Sequence, residues 1–155
     1  MLISTKGRYA TRMLLDIAQH QDQGYVSMKS IAQRQEISKK YLEQFTAQLA
    51  KAGLLDIKRG NQGGYRLLKA PKDITLQDIL SLTEGSMHAV ACLEHSPNRC
   101  GRCSYCPTLP AWAGLDAVVE QYLSSITLQT LLEQSRQQSG GCLSQESAAE
   151  ASHGG

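Results

Sequence analysis

Long apolar runs are missing from this chain. No stretch of its 155 residues approaches the roughly 20 consecutive apolar residues that a membrane-spanning helix needs. The first residues, MLISTKGRYATRM, lack the apolar stretch of about seven residues that a secretory leader carries behind its charges. The expectation is a cytoplasmic protein without a membrane partner. A nucleotide-binding glycine loop and a nucleophile paired with a base are also absent, so nothing marks an enzyme or a small-molecule substrate. Net charge is small as well, at +2. That balance conceals an asymmetry: residues 1–72 carry thirteen Lys and Arg against five Asp and Glu, or +8, and residues 73–155 carry three against nine, or −6. A basic segment joined to an acidic one points to polyanion binding by the first and to self-association or sensing by the second.

The basic half has helical periodicity. In STKGRYATRMLLDIAQHQ the residues Tyr9, Met13, Leu14, Ile17 and Ala18 share one face behind Ser4 or Thr5 as a cap. A short second helix opens on Ser27. A third, SKKYLEQFTAQLAKAG, opens on Ser38, aligns Tyr41, Leu42, Phe45 and Leu49, and stops at Gly53, where a left-handed helix end favours glycine. Two helices joined by a tight turn behind a supporting helix make a helix-turn-helix. Next, LLDIK and GYRLL flank RGNQG, the pattern of a hairpin. The fold class expected is therefore mainly α with a small β-hairpin wing, a winged helix-turn-helix that puts its third helix in the major groove of double-stranded DNA. Lys58, Arg59 and Arg66 on the wing, and Lys39 and Lys40 at the start of the third helix, are the cations placed for DNA contact. For Arg59 the alternative is a loop cation in water.

Beyond the wing, ITLQDILSLTEG predicts a helix from Thr75 to Gly85. A long helix follows, with Trp112, Leu115, Val118 or Val119, Tyr122 and Ile126 in an apolar seam, and then a short one in TLQTLLEQ. Either the first helix or a second subunit covers the seam; the two-fold symmetry of DNA sites favours a homodimer on a pseudo-palindromic operator. The expected organisation is a DNA-binding domain over 1–85, a cysteine-rich loop over 86–108, a dimerisation helix and short C-terminal helix over 109–136, and a disordered tail over 137–155, where composition turns small and polar.

Four of the five cysteines, Cys92, Cys100, Cys103 and Cys106, lie in CLEHSPNRCGRCSYCP. Their surroundings are polar, so they are not small core hydrophobes, and in a reducing compartment clustered thiols are more often metal ligands or redox groups than disulfides. Three cysteines at successive two-residue gaps resemble the run that holds iron–sulfur clusters in bacterial ferredoxins, while four thiolates also suit tetrahedral zinc. Cys142, in the tail, is not expected to be a ligand.

The segments STKGRYA, ISKKYLEQ, KRG with QGGYRL, LQDIL, and the cysteine cluster followed by ITLQTLL resemble the Rrf2 family of bacterial winged-helix regulators over residues 1 to about 134, most of all its IscR-type iron–sulfur regulators. The resemblance implies a homodimeric transcription regulator, a repressor, whose [2Fe–2S] or [4Fe–4S] cluster tunes DNA binding to cluster status, iron, oxidants or nitric oxide. It also implies cluster ligands at Cys92, at Cys100 or Cys103, and at Cys106, a base-reading Glu43 and a DNA-contacting Arg59. A carboxylate such as Glu43 accepts from cytosine and repels phosphate, selecting as much by exclusion as by attraction. Where IscR-type members have a histidine after the last cysteine, this chain has Leu109; where others offer an acidic side chain from the first helix, it has Arg8. The extra cysteine is then the simplest fourth ligand, with His88 and His95 as substitutes. A constitutive DNA-binding protein with a structural zinc is the alternative function.

Overall fold

The structure, a computed structural model, describes residues 2–138. In chain order it contains α1 (Thr5–His20), α2 (Met28–Gln35), α3 (Lys39–Lys51), β1 (Leu55–Lys58), β2 (Gly64–Leu67), α4 (Leu76–Glu84), α5 (Leu109–Ser125) and α6 (Leu128–Gln137). Of the tail expected over 137–155, Gln137 is the last residue of α6, while residues 139–155, Cys142 among them, lie outside the described residues.

Hydroxyl side chains start five of these helices. Ser4, Ser27, Ser38, Thr75 and Thr127 each accept a hydrogen bond from a backbone N–H in the first turn, and Asp78 returns its carboxylate to the Thr75 N–H to complete a capping box. Each such cap is worth about 1 kcal/mol relative to alanine. α5 starts differently, with Pro110 in its first turn and no side-chain cap. Gly53, at φ +72°, ends α3 in the left-handed conformation and turns the chain into β1.

The helical stripes meet in one core. Met13, Leu14 and Ile17 of α1, Ile31 of α2, Leu42, Phe45 and Leu49 of α3, and Ile79 of α4 are fully buried, as is Leu128 of α6. At about 1.5–3 kcal/mol per fully buried large apolar side chain, this core is the dominant stabilising contribution to the fold. Tyr9, Tyr41 and Phe45 stack edge to face, with centroids 5.6 and 6.2 Å apart.

The antiparallel hairpin pairs Leu55 with Leu67, Asp56 with Arg66, Ile57 with Tyr65 and Lys58 with Gly64. Val26, just before α2, exchanges two 2.9 Å backbone hydrogen bonds with Tyr65 and so ties the wing to the helix-turn-helix. A side chain at Gly64 would run into the Val26 carbonyl, so this close approach needs glycine.

After α5 the chain returns to the core. Leu76 N–H donates to the Ile126 carbonyl at 2.8 Å and Leu128 N–H to the Ile74 carbonyl at 2.9 Å. α6 then packs on α1 through buried Leu128 and Leu132, with Gln19 Nε2 donating to Ser135 Oγ. α5 packs on α4 and leaves Trp112, Leu115, Val118 and Tyr122 exposed. α1, one of the two covers expected for this seam, faces α2, α3, α4 and α6 instead.

Candidate nucleic-acid interface and cysteine loop

The orientation of α2 against α1 is set by a buried carboxylate. Asp16, only 1% exposed, receives both arms of the Arg34 guanidinium at 2.9 and 2.6 Å and the Gln35 amide at 2.9 Å. Hydrogen bonding to Asp16 raises the pKa of the Arg34 guanidinium above an already high ordinary value. Arg12 of α1 reinforces the junction by donating to the side chain and the carbonyl of Gln35. The chain then turns at Glu36, at φ +55°, and Ser38 starts the helix that this frame presents.

α3 buries Leu42, Phe45, Thr46 and Leu49 and leaves Lys39, Lys40, Glu43, Gln44 and Ala47 exposed. Lys39 Nζ lies 3.6 Å from Glu43 Oε1. Lys40 has no side-chain partner among the described residues and is free for a phosphate or a base edge.

The wing lies beside this helix. β1 packs on α3, and on the return strand burial raises the pKa of the Tyr65 hydroxyl, with the negative charge of Glu43 raising it further. Tyr25 Oη donates to Asp56 Oδ2 at 2.5 Å, and this bond is the chief cause of the raised pKa of Tyr25. Lys58 Nζ sits 5.5 Å from the centre of the Tyr25 ring. Arg66, directly across the ladder from Asp56, is exposed. Arg59 stands at the exposed tip beside Gly60, at φ +109°, with no partner among the described residues.

All six residues expected at DNA are therefore exposed on two adjoining elements. Gln44 shares their face and was legible from helical spacing, four residues after Lys40; its amide matches the adenine edge. Tyr25 and Asp56 position the wing through a contact that no local pattern announces.

The cysteines occupy the loop between α4 and α5. Cys92 lies in a single 3-10 turn, Ala91–Leu93. The Cys100 N–H donates to Asn98 Oδ1 at 2.8 Å, and the Cys103 N–H donates to the Cys100 carbonyl at 3.1 Å. All four thiols are free and half-buried. Cys106 Sγ lies 3.4 Å from Thr108 Oγ1, and hydrogen bonding to Thr108 lowers the thiol's pKa, favouring the thiolate that ligates metals.

One end of the loop is stapled to α5: Asp116 accepts from His88 Nδ1 at 2.7 Å and from the Ala89 N–H at 2.8 Å. Burial pushes the Asp116 carboxyl up, but these two bonds and the imidazole charge outweigh it and hold the carboxyl below its ordinary range. His88 is thus engaged at α5, while His95 is exposed and lines a cleft of about 440 Å³ between α4, α5 and the loop. Four soft thiols outside any disulfide suit an iron–sulfur cluster or zinc in donor chemistry. Among the described residues, however, no three His, Cys, Asp or Glu side chains converge on a common ion position. A shared centre requires the loop to close.

A helix-turn-helix, an adjoining hairpin with exposed cations, and a supporting helix locked to both define a winged helix-turn-helix DNA-binding protein. Residues 3–134 match the Rrf2 family, described as an iron-dependent transcriptional regulator. The chain is 37% identical over 132 residues to the HTH-type transcriptional regulator IscR of Aliivibrio salmonicida, an alignment that covers 85% of this chain and 77% of that one. Among solved structures, T. potens IscR superposes with a TM-score of 0.72 at 37% identity, covering 92% of this chain and 93% of the other. CymR, the global cysteine regulator of B. subtilis, superposes with a TM-score of 0.71 at 35% identity over 86% of this chain and 98% of its own. The chain belongs to the Rrf2 family of transcription regulators; these relatives are named as regulators, not as enzymes.

Proposed function

We propose that this regulator is a homodimeric repressor of a pseudo-palindromic operator, and that its DNA affinity is set by an iron–sulfur cluster held by Cys92, Cys100, Cys103 and Cys106. The observation that carries the reading is the position of those four free, half-buried thiols: one loop, joined directly to a helix of the DNA-binding unit on one side and, on the other, to α5 with its exposed apolar seam. The family's description as iron-dependent and the likeness to the T. potens IscR structure favour iron over zinc.

In this reading Lys40, Arg59 and Arg66 contact phosphates or guanine, and Glu43 and Gln44 read base edges from α3. The apolar seam of α5 packs against its copy and sets the distance between two recognition helices, hence the spacing of the half-sites. When bound, the cluster supplies a fixed point for four thiolates that oxidants, nitric oxide or iron loss remove. Closing the loop on its ligands, or releasing it, shifts the population of arrangements available to α4 and α5.

Protein purified without oxygen, assayed for visible absorption, iron, acid-labile sulfide and zinc, tests the assignment. Brown protein with iron and sulfide in like amounts, both lost in Cys106→Ala, is the expected result. Colourless protein with one zinc per chain would replace the sensor with a constitutive DNA-binding protein clipped by zinc.

A further inference from the structure

α4 ends at Glu84 and the cysteine loop begins at Gly85, which takes φ +76°. The last turn of α4 is hydrogen-bonded to the cap of the supporting helix α1 and to the recognition helix α3. Glu84 Oε2 accepts from the Ser4 N–H at 3.2 Å and Glu84 Oε1 accepts from Ser4 Oγ at 2.8 Å, while Ser4 Oγ itself accepts from the Gly7 N–H. This carboxylate therefore sits at the positive end of α1, whose own first turn has no acidic residue and carries Lys6 and Arg8. Gly7 makes the approach possible: a side chain there would strike the Glu84 carboxylate and Leu80.

Two residues before Glu84, the Leu82 carbonyl accepts from Gln48 Nε2 of α3. Gln48 Oε1 in turn accepts from Lys6 Nζ at 3.2 Å. Gln48 is thus held between the backbone of α4 and the first turn of α1, five residues along α3 from Glu43. A shift of the last turn of α4 is bonded directly to the start of α1 and to the recognition helix.

We propose that Glu84 and Gln48 are positioning residues that transmit the state of the cysteine loop to the recognition helix. The inference rests on the proposed cluster-dependent DNA binding and names the contacts through which it acts. Coupling between two sites needs a contiguous element that both bias; the end of α4, covalently continuous with the loop and hydrogen-bonded to α1 and α3, is that element.

The test compares operator affinity, at matched salt, for full-length protein reconstituted anaerobically with ferrous iron and sulfide and for the same protein stripped by a chelator. For wild type the two dissociation constants should differ by about 5- to 150-fold, the usual range of allosteric coupling. Glu84→Gln, which keeps the side-chain shape and removes the charge, should bring that ratio to within about twofold of one and leave stripped-protein affinity within about threefold of wild type. Gln48→Leu should collapse the ratio in the same way.

A second readout needs no DNA. Amide hydrogen exchange in the first turn of α1 and along α3 should differ between loaded and stripped wild type, and the difference should vanish in both variants. Persistence of the wild-type ratio and exchange difference in both variants, each melting as wild type does, would overturn the coupling route and leave the proposed function standing. A ratio of one in fully loaded wild type would overturn the proposed function, and this inference with it.

Discussion

Val118 stands between Leu115 and Tyr122 on the outer face of α5, and 64% of its surface is exposed. Burying a valine fully is worth about 1.5–3 kcal/mol, so covering the exposed part by a partner contributes about 1–2 kcal/mol per chain. In a symmetric dimer the substitution occurs twice, and Val118→Glu should therefore cost about 2–4 kcal/mol of association, roughly 30- to 1000-fold in the dimer dissociation constant. Two carboxylates entering an apolar seam add to that loss. The fold of each chain should be spared, because α5 holds to the body by buried Leu123 and by its contact with α4 rather than by Val118. Sedimentation equilibrium at physiological salt reads the association constant, and thermal denaturation checks the fold. DNA with two half-sites should lose affinity in the variant, and DNA with one should not. An unchanged association constant in a folded Val118→Glu protein would refute the assignment of α5 as the dimer helix.

Asp16→Asn should cost about 2 kcal/mol, less than for a wholly buried pair because Arg34 is partly exposed, and lower the melting temperature by roughly 5–10 °C; an unchanged melt would deny the carboxylate its role. Arg59→Ala should weaken specific binding by about 1–3 kcal/mol if the wing reads bases, and should reduce the salt slope by about one if it contacts phosphate; retention of both would disengage the wing. The pKa of Asp116 is depressed in the folded chain, so its contribution to stability is present above the ordinary carboxylate pKa and is lost as pH falls through the lowered value. Denaturation curves of Asp116→Asn should accordingly be flatter through that acid range than those of wild type, and identical pH profiles would contradict the staple.

Local features carried the sequence reading. Ser27, Ser38 and Thr75 announce helix starts because a cap is made within one turn, and Leu42, Phe45 and Leu49 announce the buried face of α3 because helical period and core coincide. The wing was legible from its glycines. Hidden were contacts between residues distant in the chain. Asp16 reads as an ordinary helix charge, yet it is buried against Arg34, eighteen residues on. Val26 joins the wing through a bridge too short to leave a pattern, and Glu84 caps a helix whose start lies eighty residues earlier. α6 reads as a follower of the long seam-bearing helix, but Leu128 returns to the central core. For the cysteines the grouping in one loop was legible and the geometry was not: among the described residues no three ligating side chains converge, and in the proposed function it is bound atoms, rather than hydrogen-bonded backbone, that would bring four sulfurs to one centre.

The most direct test of the central claim is a pair of dissociation constants for one operator, selected from random duplex DNA with this protein. One is measured with anaerobically loaded wild type and the other with chelator-stripped wild type, at the same salt concentration and with both forms verified as folded dimers. A difference of about fivefold or more is predicted. Equal constants on every selected operator class would contradict the claim that the cysteine loop governs DNA binding.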